Sequence, residues 1–577
     1  MPASFITIET LHYFINSSLT MSKKSAIRRL REDPSSASSS RAPSASRTPI
    51  PDDDSDDEFI EQDLQRIQEL LNQKLLSLQQ SVESGEKSAD NTFANDKKQA
   101  DVDALNKQRI QSDQTTINEI IASLQLARTE VSTSSRELLV AQLYKLIVSK
   151  PIIVYNEENM ATANFVDEDK VQSLMNVFTN KNFRTETELL YLFRSIIALI
   201  ASNIEDFGCF VTQDFLAQVS TMIQDPATSV VTNAVKSSLV TGYSSITLIL
   251  QHGAGSFGVD DKIRWLMELA EGFAKSASNL RDQVSSGDRE YSTLIQDKND
   301  DKKLVNAALA KVDAESAVCV SALHGIAALL TLLTRGEYLN EIAEDLMFKL
   351  VPLVDEDDYK DISKAAARVI AVIYEVYTYG EDSDEDVDEE EYNSNAPYYE
   401  QEYLFSIFDR LANLSSKKVS KKEKKEVHSV FRNVGNSLKA YVDRDTREKI
   451  YKGTPDGQEI LNNIMDSTYI RLSKYRSLPI DSWLLYARLR QLKWCFSFGL
   501  HNQLVCNDTI RDVLQEENEH NVSSFDIDDN KLNDPAYADL IDGAMDKMNN
   551  LNEKARAAKI KKERTEKVID RMGELNI

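Results

Sequence analysis

VCVSALHGIAALLTLL, Val318 to Leu333, is the stretch on which the fold turns. A helix drawn through it is apolar almost all round, and such a helix is stable only where neighbours bury every side of it. Outward from it, the same period continues with one polar face restored. Leu138, Leu139, Leu143, Leu146 and Ile147 make one apolar stripe, and Leu189 to Ile200 make another. Val230 to Leu250 is a third, carrying Ala234, Leu239, Val240, Ile246, Leu248 and Ile249. Ala365, Ala366, Val369, Ile370, Val372 and Ile373 supply the next, and the run Ala365–Ala367 lets helices approach closely.

With 17 glycines and 12 prolines in 577 residues, long segments run without punctuation, which favours helices. No strict period joins the stripes. Paired amphipathic helices are nevertheless what armadillo and HEAT arrays become as their repeats diverge. The expectation is an all-α chain: an armadillo/HEAT-like helical-repeat solenoid over 128–414, a small helical C-terminal domain and a projecting basic C-terminal helix. An irregular α-bundle is the competing architecture.

The flanks differ in character. Residues 1–58 are low in apolar content after the first 20, with a basic Ser/Pro/Arg-rich part (Lys23 to Arg47) that turns acidic from Asp52 to Glu58. That composition cannot offset the entropy of ordering, so disorder is predicted. Phe5, Ile6 and Ile8 are interrupted by Thr7 and Glu9 without a preceding basic region, so a secretory signal is not expected; Met21 reads as an alternative start. Ile60, Leu64, Ile67, Leu71, Leu75 and Leu78, then Val102, Ile110, Ile117, Ile121 and Leu124, predict an amphipathic helical hairpin or short coiled coil over 59–127. Within the repeats, 284–303 reads as a polar insert and 380–392 as an acidic loop. Residues 417–518, aromatic-rich from about 440, read as the second domain, and 535–577 as a basic helical tail without an apolar face.

Catalytic signatures are absent from the sequence. It has no P-loop, dinucleotide fingerprint, HExxH or GxSxG, so a non-enzyme without cofactor or small-molecule substrate is expected. Gly253 to Gly258 superficially resembles a phosphate turn, but it follows a helix, and Asp260 and Asp261 after it would repel phosphate and suit a helix start. Cys495, His501 and Cys506 have no CxxC companion and read as core residues rather than zinc ligands. His324 reads as packed core. Four scattered cysteines predict a reducing compartment, and no apolar run is long enough to predict a membrane span.

Electrostatics carries the functional signal. The formal charge is −26, which repels nucleic acid on average, so contact with it must use local basic patches. Two such patches join a helical element: Lys417, Lys418, Lys421, Lys422, Lys424, Lys425 and Arg432, and then Lys554, Arg556, Lys559, Lys561, Lys562, Arg564 and Lys567. Both are candidates for contact with RNA phosphates.

Family resemblance now becomes visible. Lys421 to Val434, a basic run closing in Ser-Val-Phe-Arg-Asn-Val, resembles the opening of the C-terminal region of the interferon-related developmental regulators, which has Asp where Asn433 stands. Ile480-Asp-Ser-Trp483 is similar to that family's Ile-Asp-Cys-Trp, and Gly499–Leu504 and Asn507–Leu514 to its closing helices. The resemblance implies an armadillo-like domain and a non-catalytic regulator of gene expression. It implies two activities. One is binding to the ribosome and its rRNA with translational silencing, where a basic C-terminal helix lies in the mRNA path. The other is transcriptional co-regulation through deacetylase-containing complexes, with the solenoid surface holding protein partners. A cytoplasmic location, with nuclear entry as a second, follows from these.

Overall fold

Serine and threonine start the helices. Ser132, Thr185, Thr212, Thr232 and Ser482 each occupy an N-cap and accept a hydrogen bond from the backbone N–H three residues on. Each satisfies an otherwise orphaned donor, for about 1 kcal/mol per cap. Thr116 and Glu119 close a full capping box.

The computed structural model describes residues 63–76, 94–111, 115–152, 165–286, 298–355, 360–379, 396–413, 421–465, 468–472 and 477–515, all within the unit Asp53–Ile577. After α1 (63–76) and α2 (Ala94–Gln111), helices alternate between two layers. The inner row is α4 (Thr133–Ser149), α6 (Glu186–Ser202), α9 (Asn233–Gln251), α11 (Lys298–Leu330), α13 (Lys360–Val376) and α15 (Lys421–Val442). Each packs on the next in that order. The outer row is α3 (Ile117–Gln125), α5 (Glu168–Thr179), α8 (Gln213–Gln224), α10 (Val259–Ser286), α12 (Glu337–Asp355) and α14 (Gln401–Asn413), each packed on the inner helix that follows it. The short α7 (Ile204–Phe207) lies between α6 and α8. This is the predicted repeat solenoid: hairpins stacked so that each buries the next.

The layers differ for a reason legible in the residues. Outer helices bury one stripe; α5 buries only Val171, Leu174, Met175 and Phe178. Inner helices are buried nearly all round, as α13 is from Ile362 to Val376. In α11, Val318, Cys319, Ala322, Leu323 and the run Ile326–Leu330 all lie in the core. Each buried leucine or isoleucine contributes about 1.5–3 kcal/mol. The Asn306–Leu330 part of α11 is long and apolar enough to cross a membrane, but 67% of its apolar window is buried among its neighbours, and it is the central strut of the array.

Within the 59–127 segment the described helices α1, α2 and α3 place Ile67, Leu71, Ile110, Ile117, Ile121 and Leu124 in the array's single core. The insert predicted at 284–303 is narrower, because α10 runs to Ser286 and α11 already begins at Lys298. Residues 417–518 do not form a body of their own. There, α15 ends the inner row, followed by α16 (Arg444–Tyr451), α17 (Pro455–Ile464) and an antiparallel hairpin of β1 (Thr468–Arg471) and β2 (Ser477–Ile480). Thr468 pairs with Ile480 and Tyr469 with Pro479. The chain then returns along the array as α18 (Trp483–Phe496), α19 (Leu500–Cys506) and α20 (Asp508–Asp512). The separate domain fails because α18 has apolar residues on several faces and buries them between helices whose contacts lie from 108 to 300 residues earlier in the chain. Segments 1–58, 380–392 and 535–577 lie outside the described residues.

Candidate interaction surfaces

The inner face of the array is occupied by the chain itself. Helix α18 packs against α6, α9, α11 and α13. Where it crosses α9, Gly242 faces the rings of Phe193 and Trp494, and a Cβ there would collide with both. Polar groups fix its register. Glu375 on α13 accepts hydrogen bonds from the backbone N–H of Trp483 at 2.8 Å and Leu484 at 3.4 Å, placing a carboxylate at the positive end of α18. The Trp483 indole donates to Ser437 Oγ of α15 at 2.8 Å. Gln491 Nε2 donates to the His324 carbonyl at 3.1 Å, and Gln491 Oε1 accepts from Ser245 Oγ at 2.9 Å. Buried Arg488 donates to Thr331 Oγ1 and Thr331 O, both at 2.9 Å, and to the Val513 carbonyl at 3.2 Å. Removing the carboxylate in Glu375→Ala leaves one buried and one part-buried donor without their acceptor and should cost about 2 kcal/mol; the shift in urea midpoint measures it.

A second hub ties α1, α4 and the end of α18 to α6. Buried Arg194 pairs bidentately with Asp63 of α1, both contacts at 2.9 Å. It also donates to Tyr144 Oη at 2.8 Å and to the Trp494 carbonyl at 3.1 Å. Its guanidinium lies 4.4 Å from the Tyr144 ring centroid, a cation–π contact. Burial opposes ionisation of Asp63, but the charge and hydrogen bonds of Arg194 outweigh it and hold the carboxyl below its usual range. Burial pushes the Tyr144 hydroxyl well above its usual range, so it stays protonated and donates to the Cys495 carbonyl at 3.3 Å. Nearby, Glu188 accepts from Arg136 at 2.8 Å and from Arg128 at 2.7 Å.

The predicted basic residues fall in different places. Lys421, Lys422, Lys424 and Lys425 stand in the first turns of α15, whose later turns are anchored by buried Phe431, Val434 and Leu438. Arg432 is exposed on the same helix. Lys417, Lys418 and Lys554, Arg556, Lys559, Lys561, Lys562, Arg564 and Lys567 lie outside the described residues. Only Lys421, Lys422, Lys424, Lys425 and Arg432 of the candidates therefore fall on a described helix.

Other readings resolve variously. Asp260 and Asp261 fall in the first turn of α10, where Asp260 accepts from the Tyr338 hydroxyl at 2.5 Å. Cys495 is a buried thiol as expected, but Cys506 is exposed, because it lies at the last position of the short α19 on its outer side. Among the described residues no group of three or more His, Cys, Asp or Glu is placed to hold a metal ion. Sequence reading missed the charged residues that position α18. Their signal was present: Arg194 interrupts the apolar run Leu189–Ile200, and Glu375 ends the run from Val369. A lone charge inside an apolar helix implies a buried partner.

A search of the curated proteins finds no match. Residues 291–439, a span that reaches the later turns of α15, match the family described as interferon-related developmental regulator (IFRD). That span covers α11 and α13, and the basic run and Ser-Val-Phe-Arg-Asn-Val that carried the resemblance. On this span the chain is similar to the interferon-related developmental regulator family.

Proposed function

We propose that the chain is a ribosome-associated translational regulator that meets rRNA, and the mRNA path, through residues 417–432 and 554–571. The observation that carries this reading is the start of α15. Four lysines among its first five residues oppose the helix macrodipole, whose N-terminal end is positive. Each costs a few tenths of a kcal/mol there, so the arrangement needs a compensating negative partner. Anchoring by Phe431, Val434 and Leu438 makes the run a rigid part of the array, which lowers the entropy lost on binding.

A nuclear scaffold recruiting deacetylase-type complexes is the competing reading. In the form that uses the inner repeat surface, it needs a face that α18 already covers.

The test is co-sedimentation of the full chain with ribosomes over a series of salt concentrations. A variant with Lys421, Lys422, Lys424 and Lys425 changed to Gln should flatten the log K against log salt slope by roughly 3. Deleting 552–577 as well should reduce association at least tenfold. Unchanged association in the combined variant would overturn the reading.

A further inference from the structure

A group of cations gathers where α11, α13 and α18 meet, away from the basic segments already discussed. His324 on α11 is only 8% exposed, and its Nε2 has no hydrogen-bond partner. The adjacent backbone is fully engaged, since the His324 carbonyl accepts from Gln491 of α18, so the ring is held in place. Arg368 on α13 lays its guanidinium over the Tyr486 ring at 5.3 Å, and its Nε is likewise buried without a partner. Lys364 lies one turn before Arg368, and Arg490 one turn after Tyr486, so both helices direct their same-face cations to this seam. Burial first, and then the charges of Arg490, Arg368 and Lys364, hold the His324 imidazole well below its usual range. No carboxylate contributes in the opposite sense among the described residues. Lys364 reaches Asp361 at 2.8 Å, but that carboxylate is 77% exposed and at the outer end of the group. Neither Arg368 nor Arg490 has an ion-pair partner among the described residues.

In a chain of charge −26, cations could readily be neutralised by carboxylates. Here like charges converge on a buried imidazole, an arrangement that is costly when empty. It is the arrangement that a multivalent oxyanion repays. Guanidinium groups offer paired donors to two oxygens, the ammonium supplies a point charge, and an Nε2–H tautomer of His324 supplies a further donor. Tyr486, stacked under Arg368, limits its rotamers and so preorganises it.

We infer that His324, Lys364, Arg368 and Arg490 form a binding site for a phosphate group, set between the returning helix α18 and the inner row. An occupant there bridges α13 to α18 and so couples anion concentration to the seating of α18. The inference is independent of the ribosome reading, because none of these residues belongs to the segments at 417–432 or 554–571.

The test uses the full-length protein. Inorganic phosphate and free phosphoserine are titrated in separate arms at constant ionic strength, with acetate as the control for charge. Calorimetry gives stoichiometry and affinity, and thermal unfolding gives the stabilisation. One phosphate per chain, with binding weakened at least tenfold in both Arg368→Gln and Arg490→Gln and partly recovered in Arg368→Lys, is the expected result. Equal binding of phosphoserine assigns the site to a phosphomonoester carried by a side chain or metabolite; binding of phosphate alone assigns it to the free anion. Both variants are compared without anion by circular dichroism, and Arg490→Gln, being half-exposed, should retain the wild-type fold. Absence of saturable phosphate binding by the wild-type chain, or binding unchanged in folded Arg490→Gln, would overturn the assignment.

Discussion

Replacing Arg194 by alanine should cost about 3–5 kcal/mol of stability and loosen α1 and the end of α18 together. The side chain is buried and makes four hydrogen bonds to three partners: Asp63 of α1, Tyr144 of α4 and the Trp494 carbonyl of α18. Its loss strands a buried carboxylate, and the cost of that stranded charge exceeds the value of the pair itself. The change also has a pH signature. In the wild-type chain the Asp63 carboxyl is held below its ordinary value of 3.8. Its contribution is therefore complete above that value and is lost as pH falls through the lowered folded pKa. In Arg194→Ala burial, which raises the pKa, is opposed only by the smaller effects of Ser497 and Arg66, so Asp63 takes up a proton more readily and part of the penalty is relieved in acid. The gap between wild-type and variant urea midpoints should be widest near neutrality and shrink as pH is lowered below 4. A gap of under 1 kcal/mol at neutral pH would show that the hub contributes little.

Gly499→Ala should be nearly as damaging, at about 3 kcal/mol, the upper part of the range for overpacking. Gly499 sits directly against α4, where a Cβ would overlap the carbonyl of Val148. That obstacle is backbone within a helix and cannot rotate away. The chain reverses here through Ser497, which holds a positive φ of 46°, so the turn has little freedom to move aside. Asn502 Nδ2 donates to the Ser149 carbonyl at 2.9 Å just beyond, and this bond should break as the backbone shifts. Hydrogen exchange across α19, compared with α11 as an internal reference, should reveal local opening of α19 in the variant. Wild-type protection there would refute the close-packing argument.

Much of the array was legible because burial leaves a periodic trace. Val318–Leu333 had to be surrounded, and α11 is. The stripes at Leu138–Ile147 and Ala365–Ile373 lie on inner helices, and the Ser and Thr caps mark the starts. The return of α18 was not legible, because pairing between residues some 250 positions apart leaves no local period. Trp494 meets Gly242 through shape, and a sequence shows a glycine without showing what approaches it. The β1–β2 hairpin was missed for a related reason. Its four-residue strands are too short to establish alternation, and Pro479 argues against a strand unless it lies at an edge. The lysines of 421–425 were legible as charge beside a helical element, while the anchoring of that helix by Phe431, Val434 and Leu438 became clear only with α15. His324 was read as core, and the burial is there. The unmet Nε2 and the three cations from two other helices belong to tertiary structure.

The covering of the inner row by α18 sets an order for biosynthesis. A nascent chain presents α6, α9, α11 and α13 well before residues 483–515 are translated, and for that interval a long greasy trough stands open beside an otherwise finished scaffold. Chaperone engagement should therefore peak late, and messages broken upstream of Trp483 should yield a sticky, rapidly degraded product even though every repeat is present.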